Sequence, residues 1–294
     1  MRAWLIGVAA AAAWTGAAAA QEVQMEGVVA RVVVIPEARS NLEVNVQPGP
    51  AGLPPVRVRR EGQRIVLEGG LDVNHCNTNN GVTTVRTRDG RRLQLQSAPL
   101  VTIRAPRSLT ISTRRGAIQG QVGPMQDLSL SSGGCSNWRL GDVSGQLQLT
   151  QSGGARTVAG QARSARLRAS GGGSIEVGPV GALDAGASGG GRLQIGPVAG
   201  PLTADASGGG VIRVSSVSGP VSAEASGGGG VGIAGGRSGM LQASASGGGW
   251  VDHDGAAGGL SARASGGGRV EVATLNGPVR ERSQSGGGRV IVGR

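Results

Sequence analysis

The sequence predicts an all-β protein: a single-stranded β-helix, or solenoid, with coils of about nineteen residues and a β-rich N-terminal region. Three observations predict it. A Ser-Gly-Gly-Gly marker recurs at a near-fixed interval through the C-terminal half. Apolar residues stand at constant distances from each marker, with a period of two. The chain also holds 57 Gly in 294 residues and no Phe or Tyr, so Val, Ile, Leu and Ala must fill its core. Without large aromatics to bury, stacked strands held by backbone hydrogen bonds suit the composition better than packed helices.

Residues 1–20 read as a secretory signal. Arg2 supplies the positive start, residues 5–14 the apolar run, and Ala18-Ala19-Ala20 a small-residue cleavage site. The run is short and Ala-rich for a bilayer span. No Cys lies near the cut to carry a lipid, and no later segment is long and apolar enough to cross a membrane. Processing would leave a soluble periplasmic or secreted protein of the bacterial envelope, with no transmembrane span.

Residues 21–110 form the N-terminal β region. Residues 30–35, 42–46, 56–60, 64–67 and 100–104 read as strands, with Glu61-Gly62 turning a hairpin between two of them. His75 to Gly81 reads as a polar loop. From Leu109 onward Gly116 and Gly120 begin a degenerate repeat, so the boundary with the Gly-rich repeats of 111–294 is gradual.

The markers begin at Ser170, Ser188, Ser207, Ser226, Ser246, Ser265 and Ser285, at intervals of 18, 19, 19, 20, 19 and 20 residues. Weaker copies stand at Ser132 and Ser152. Five and seven places after most of them come apolar pairs: Ile175 and Val177, Leu193 and Ile195, Ile212 and Val214, Val231 and Ile233, Val270 and Val272, Val290 and Val292. Before the next marker come Leu183, Ala185 and Ala187, then Leu202, Ala204 and Ala206, and so on to Ala264. Each set alternates as a strand with one buried face does. Turns such as Gly178-Pro179 and Gly277-Pro278 separate them. The tripled glycine fits either a corner of positive φ or a strand where opposite walls come close; the small Ala partners favour the second. In the last coil, 279–284 replaces the Leu-x-Ala-x-Ala strand with charge, as a solenoid cap requires. The cap is imperfect, because 289–292 still offers a strand.

Charge and cysteines bound the chemistry. There are 29 basic against 18 acidic residues, a formal net charge of +11, and +10 once Arg2 leaves with the signal. Every basic residue is Arg, which removes Schiff-base and Lys-base chemistry. A basic exported protein fits anionic glycan or lipopolysaccharide; interspersed signs fit plain solubility. No nucleic-acid partner and no cofactor is expected. Cys76 and Cys135, alone in an oxidising compartment, are expected to pair and staple the N-terminal region to the first rungs.

The chain resembles the adhesin "head GIN" domain family and the adhesin-like β-strand repeat proteins of the bacterial envelope. The resemblance rests on Val32-Val33-Val34-Ile35, Val56-Arg57-Val58, Ile65-Val66-Leu67, residues 98–106, Leu109-Thr110-Ile111 and the Ser-Gly-Gly repeats. It covers nearly the whole mature chain. It implies an all-β solenoid of the envelope with no catalytic residues to carry over. The chain lacks the C-terminal barrel of autotransporters.

Two groups of residues qualify as a ligand surface. Arg192, Arg269 and Arg289 share one outward position of the repeat; Glu176, Gln194, Arg213 and Glu271 share another. Stacked Arg can grip sulfate, phosphate or uronate in bidentate fashion; mixed signs equally make a solvated face. His253 falls where other coils carry Val or Ile, flanked by Asp252 and Asp254 beside Trp250. It reads as a small-ligand or metal site on one coil, or as a His tolerated inside the stack. A lone His between two carboxylates of opposite facing is a poor metal cage, so no metal is assigned. Trp138 and Trp250 suit sugar stacking, or the core and cap. Carboxylates are scattered and the repeated Ser has no basic partner, so no catalytic residues are assigned. The expected function is therefore non-enzymatic: an adhesin-like envelope solenoid with a structural or surface-binding role. The alternatives are an anionic-polysaccharide module and a filament built by end-to-end stacking.

Overall fold

The computed structural model describes residues 21–49, 53–79 and 82–293; the expected signal at 1–20 lies outside them. The chain is a β-solenoid of about nineteen residues per coil. One coil shows how it is made. The strand Leu202–Ala206 leads through a corner to Val211–Val217, and a second corner returns the chain to Val221–Ala225 one level higher. Leu202 then lies beside Val221, and Val198 beside Val217, in parallel register. A short third wall closes the coil through Val143, Ala162, Val180, Val198 and Val217, each paired with the next.

The interior is the alternation of the repeat made physical. Leu183, Ala185 and Ala187 of the first wall face Ile175 and Val177 or Leu193 and Ile195 of the second, all buried. Every level repeats this, so each side chain packs on its own equivalents above and below, at about 4.8 Å spacing. A single coil could not bury this face alone.

The tripled glycine is a corner, not a close approach of opposite walls. Gly208 takes φ +62°, the left-handed conformation that side chains resist. At Gly210 a Cβ would stand 2.3 Å from the Ala187 carbonyl oxygen of the coil below. The contact that demands glycine is therefore between stacked coils, along the axis. The triplet excludes side chains for two reasons at once, left-handed backbone and vertical crowding.

The N-terminal region belongs to the same solenoid, and no boundary falls at residue 110, which lies inside the strand Ser108–Arg114. Gln21–Glu26 sits between that strand and Arg64–Glu68, parallel to both. Val29–Pro36 likewise sits between Ala117–Val122 and Leu100–Ala105. The first strands of the chain are thus not its first level; the chain doubles back beneath them before climbing. Two antiparallel strands finish this end, Glu43–Gln47 against Leu100–Ala105 and Arg57–Glu61 against Arg64–Glu68. The Glu61-Gly62 hairpin turn is present, with Gly62 at φ +62°.

The stretch from His75 read as a loop is instead part of a small antiparallel sheet, Val73–Asn79, Val82–Thr87 and Arg92–Gln94. Its Val85 packs with the flanking Leu71 and Leu95 against Val29, Ala98 and Ala117 on the side of the solenoid. Its first strand carries Cys76, disulfide-bonded to Cys135 in a marker corner 59 residues away. Closing a loop of that length is worth about 4 kcal/mol in the chain-entropy account.

Trp138 is core. It is fully buried in the inward column of the second wall, and Gly120 of the level below leaves it room: a Cβ there would meet the indole at 2.0 Å. Its Nε1 donates to Ser132 Oγ at 3.2 Å, and Thr113 Oγ1 donates to the same oxygen at 3.0 Å.

The last level closes itself. Arg282 and Gln284 pair with Ala262 and Ala264 and so occupy inward positions. Arg282 Nη2 donates to the Val290 carbonyl at 2.7 Å, and Val290 N donates to Gln284 Oε1 at 2.8 Å. The final strand Arg289–Val292 thereby has its exposed edge clamped at the centre.

Candidate functional site on the outward face of the second wall

Side chains of the second wall alternate, so every other residue of its strands faces solvent in a column. One column runs Ser174, Arg192, Val211, Gly230, Trp250, Arg269 and Arg289. Its neighbour runs Glu176, Gln194, Arg213, Gly232, Asp252, Glu271 and Ile291. Arg192, Arg213, Trp250, Asp252, Arg269 and Arg289 therefore share one face, as the period of two requires. Arg269 is ion-paired with Glu271 of its own strand. Arg192, Arg213 and Arg289 are exposed and make no ion pair among the described residues. With Arg139, exposed and lower in the Glu176–Arg213 column, they are among the cations this face leaves available.

Trp250 is half-buried and fixed in an unusual way. Its indole turns onto the level below, where Gly230 and Gly232 interrupt both columns. A Cβ at Gly230 would meet indole Cε2 at 2.0 Å, and one at Gly232 would meet Cζ3 at 3.3 Å. One aromatic face thus rests on bare backbone and the other faces outward. Asp252 lies two residues along the same strand, and Arg213 lies directly beneath Gly232.

His253 does not belong to this surface. Its side chain points the opposite way, fully buried between Ile233 and Val272 in the inward column. Nε2 lies 3.2 Å from Ser238 Oγ, while buried Nδ1 has no hydrogen-bond partner. Asp252 and Asp254 stand on the outward side of the strand and cannot join it in a ligand set. No group of three or more His, Cys, Asp or Glu is placed to hold a metal among the described residues. A Ser–His pair is the start of a nucleophilic site, but Ser238 is 3% exposed and His253 0%. A substrate has no path to either.

The Ser238 partnership is what the sequence reading missed. Ser238 stands in the inward third-wall position beside Ala257. The coil between Ser226 and Ser246 is one residue longer than its neighbour, the one local sign that its packing differs.

Burial holds the His253 imidazole below its usual value of 6.5, opposed by weaker contributions from the Ala256 and Ile233 backbone and from Asp254 and Asp252. The native state therefore binds fewer protons than the unfolded chain below about pH 6.5. Stability is complete above that pH and falls as acid protonates the unfolded His first. Asp205 works in the opposite sense, because burial and then Glu224 raise it above 3.8. Comparing wild type with the His253→Val, Ser238→Ala double variant isolates the imidazole. The variant is expected to lose the decline in urea midpoint between pH 7.5 and 5.5; an unchanged decline would assign it elsewhere.

Some polar side chains outside this face are tied between levels. Arg166 and Arg168 both engage Asp184, at 3.0 and 2.9 Å, and Arg263 engages Glu281 at 2.7 Å. An open groove follows the corner between second and third walls, lined by Pro36, Pro124, Asp142, Gln161, Pro179 and Pro197.

Comparison of the chain with family models, with curated proteins and with solved structures finds no match.

Proposed function

We propose that the protein is a non-enzymatic, exported solenoid of the cell envelope, adhesin-like in the sense of the family it resembles. Its work is to hold an extended face in fixed register. One observation carries the reading: the interior repeats level after level while the exterior changes freely. Level by level, Ser174, Arg192, Val211, Gly230 and Trp250 succeed one another in one outward column over a filling that stays aliphatic except at His253 and its partner Ser238. Such a scaffold separates stability from surface chemistry, which is what a presenting or binding protein needs. Fractionation of cells expressing the full chain tests it. The expected product is released with the periplasm or medium and begins near Gln21; an unprocessed cytosolic chain would overturn the export.

A second reading is favoured by Arg192, Arg213 and Arg289, exposed and without ion pairs on one face. They suit an anionic polysaccharide, with carboxylates or sulfates held by guanidinium forks. Retention on an acidic polysaccharide resin at low salt should fall steeply as ionic strength rises, and should vanish when all three become Ser. Retention by that triple variant would remove the arginine face from consideration.

A further inference from the structure

We propose that Trp250 is the floor of a subsite for one acidic pyranose unit of a polysaccharide, with Arg213 receiving its carboxylate. The proposal rests on the second reading above and deepens it. Placing the Trp250 indole where it lies has a cost. This chain buries Trp138 inside, with Gly120 making room and Ser132 accepting from its Nε1. Trp250 lies outside instead, and two outward positions are surrendered to Gly230 and Gly232 beneath it. That arrangement leaves a flat aromatic face pre-set in one orientation, so little ordering remains when a ring stacks on it. An amphipathic indole held this way suits a partner with one apolar face and a polar rim. A pyranose has that form, with axial C–H groups on a face and hydroxyls around its edge.

The surrounding groups select among ring-shaped ligands. Asp252, two residues along the same strand, is an acceptor for hydroxyl donors. Arg213, beneath Gly232 and free of ion pairs, matches a carboxylate in its fork geometry. A nucleic-acid strand is the competing chemistry, since bases also stack on indole. Single-strand binders combine successive aromatic platforms with a uniformly basic groove. Here Trp250 is the one aromatic residue in either outward column, and acidic and neutral residues interrupt the arginines, so neither a run of platforms nor a uniformly basic groove is present. The geometry favours the sugar acid.

The test uses the full mature chain and three probes of similar length: an oligogalacturonate, a neutral cello-oligosaccharide and oligo-dT. Binding is followed by calorimetry and by tryptophan fluorescence, with Trp138 buried and silent to quencher. The oligogalacturonate is expected to bind, to alter Trp250 emission, and to lose at least tenfold in affinity in Trp250→Ala. Arg213→Ser should lose a similar factor for the uronate. Gly230→Ala, which displaces the indole, should weaken binding with Trp250 still present. Urea midpoints of each variant establish that it is folded. Uronate affinity unchanged in folded Trp250→Ala overturns the subsite, even where the triple Arg variant loses resin retention and the broader reading survives. Tighter binding of oligo-dT than of the uronate overturns it as well.

Discussion

Gly210→Ala is expected to destabilise the solenoid by about 3 kcal/mol and to open it at one level, whereas Gly239→Ala should be neutral or slightly stabilising. The two sites differ in what a methyl group meets. At Gly210 it would lie 2.3 Å from the Ala187 oxygen, 2.4 Å from its carbonyl carbon and 2.8 Å from Ser188 N, all backbone of the coil below. Backbone cannot rotate aside as a side-chain tip can, so the two levels must separate. At Gly239 nothing lies within 4 Å and φ is not left-handed. Because each level touches only its neighbours, damage at one interface divides the rod. The N-terminal piece keeps the Cys76–Cys135 staple; the piece above Gly210 does not. Urea unfolding of Gly210→Ala should therefore separate into two transitions, with proteolysis beginning near residue 210. A single transition at the wild-type midpoint would show that vertical crowding at the marker is not what the glycine serves. Equal damage from Gly239→Ala would show the same.

The contrast also explains what was legible in the sequence. The inward residues were readable because alternation is local: Ile212 and Val214, or Ala204 and Ala206, announce a buried strand face within five residues. The marker was legible as a period but its reason was misassigned. Opposite walls and stacked coils both exclude side chains, and only the position of Ala187 beneath Gly210 separates them. The vertical order of the first levels was not readable. Nothing within Gln21–Glu26 says that Arg64–Glu68 will lie on one side and Ser108–Arg114 on the other, since parallel pairing is settled between distant segments. The polar stretch after His75 hid a strand because its neighbours, not its own apolar content, hold it. His253 was legible as an oddity in an apolar column, which is what it is. Its partner was not, because Ser238 lies on a different wall and the column arithmetic does not cross walls. Trp250 was singled out as an aromatic, but its platform depends on Gly230, twenty residues earlier and one level below.

The double variant Arg282→Ala, Gln284→Ala is expected to assemble end to end at concentrations where the wild type does not. The last strand, Arg289–Val292, pairs below with Arg269–Val272 and, among the described residues, has no strand above it. Bonds from Arg289 N to Gly268 O and from Gly293 N to Val272 O point downward, so the Val290 N–H and C=O point to the open edge. An open parallel edge is a template for another chain. Here both groups are occupied by side chains crossing from the opposite wall, Arg282 on the carbonyl and Gln284 on the N–H. Removing them restores two edge hydrogen bonds, each worth about 1 kcal/mol to an incoming strand. It also removes an inward charge that a docking level would have to desolvate. Apolar contact is already present, since Val279 and Ile291 are 48% and 37% exposed on this level and Val58 is 45% exposed on the capping strand at the other end. Opposing this, Arg57, Arg59 and Arg60 stand on that N-terminal strand and Arg280 and Arg289 on the last level, so like charges meet whenever two copies align head to tail. Salt should weaken that repulsion and favour assembly in the variant. Sedimentation velocity at rising concentration, at low and high salt, measures both effects. Arg280→Ala is the control, for it removes the same charge without touching Val290 and should assemble no more readily than the wild type. If the double variant stays monomeric at high concentration and high salt while Val290 N–H exchange becomes fast, the clamp is opened without consequence. The filament alternative then fails together with this account of the cap.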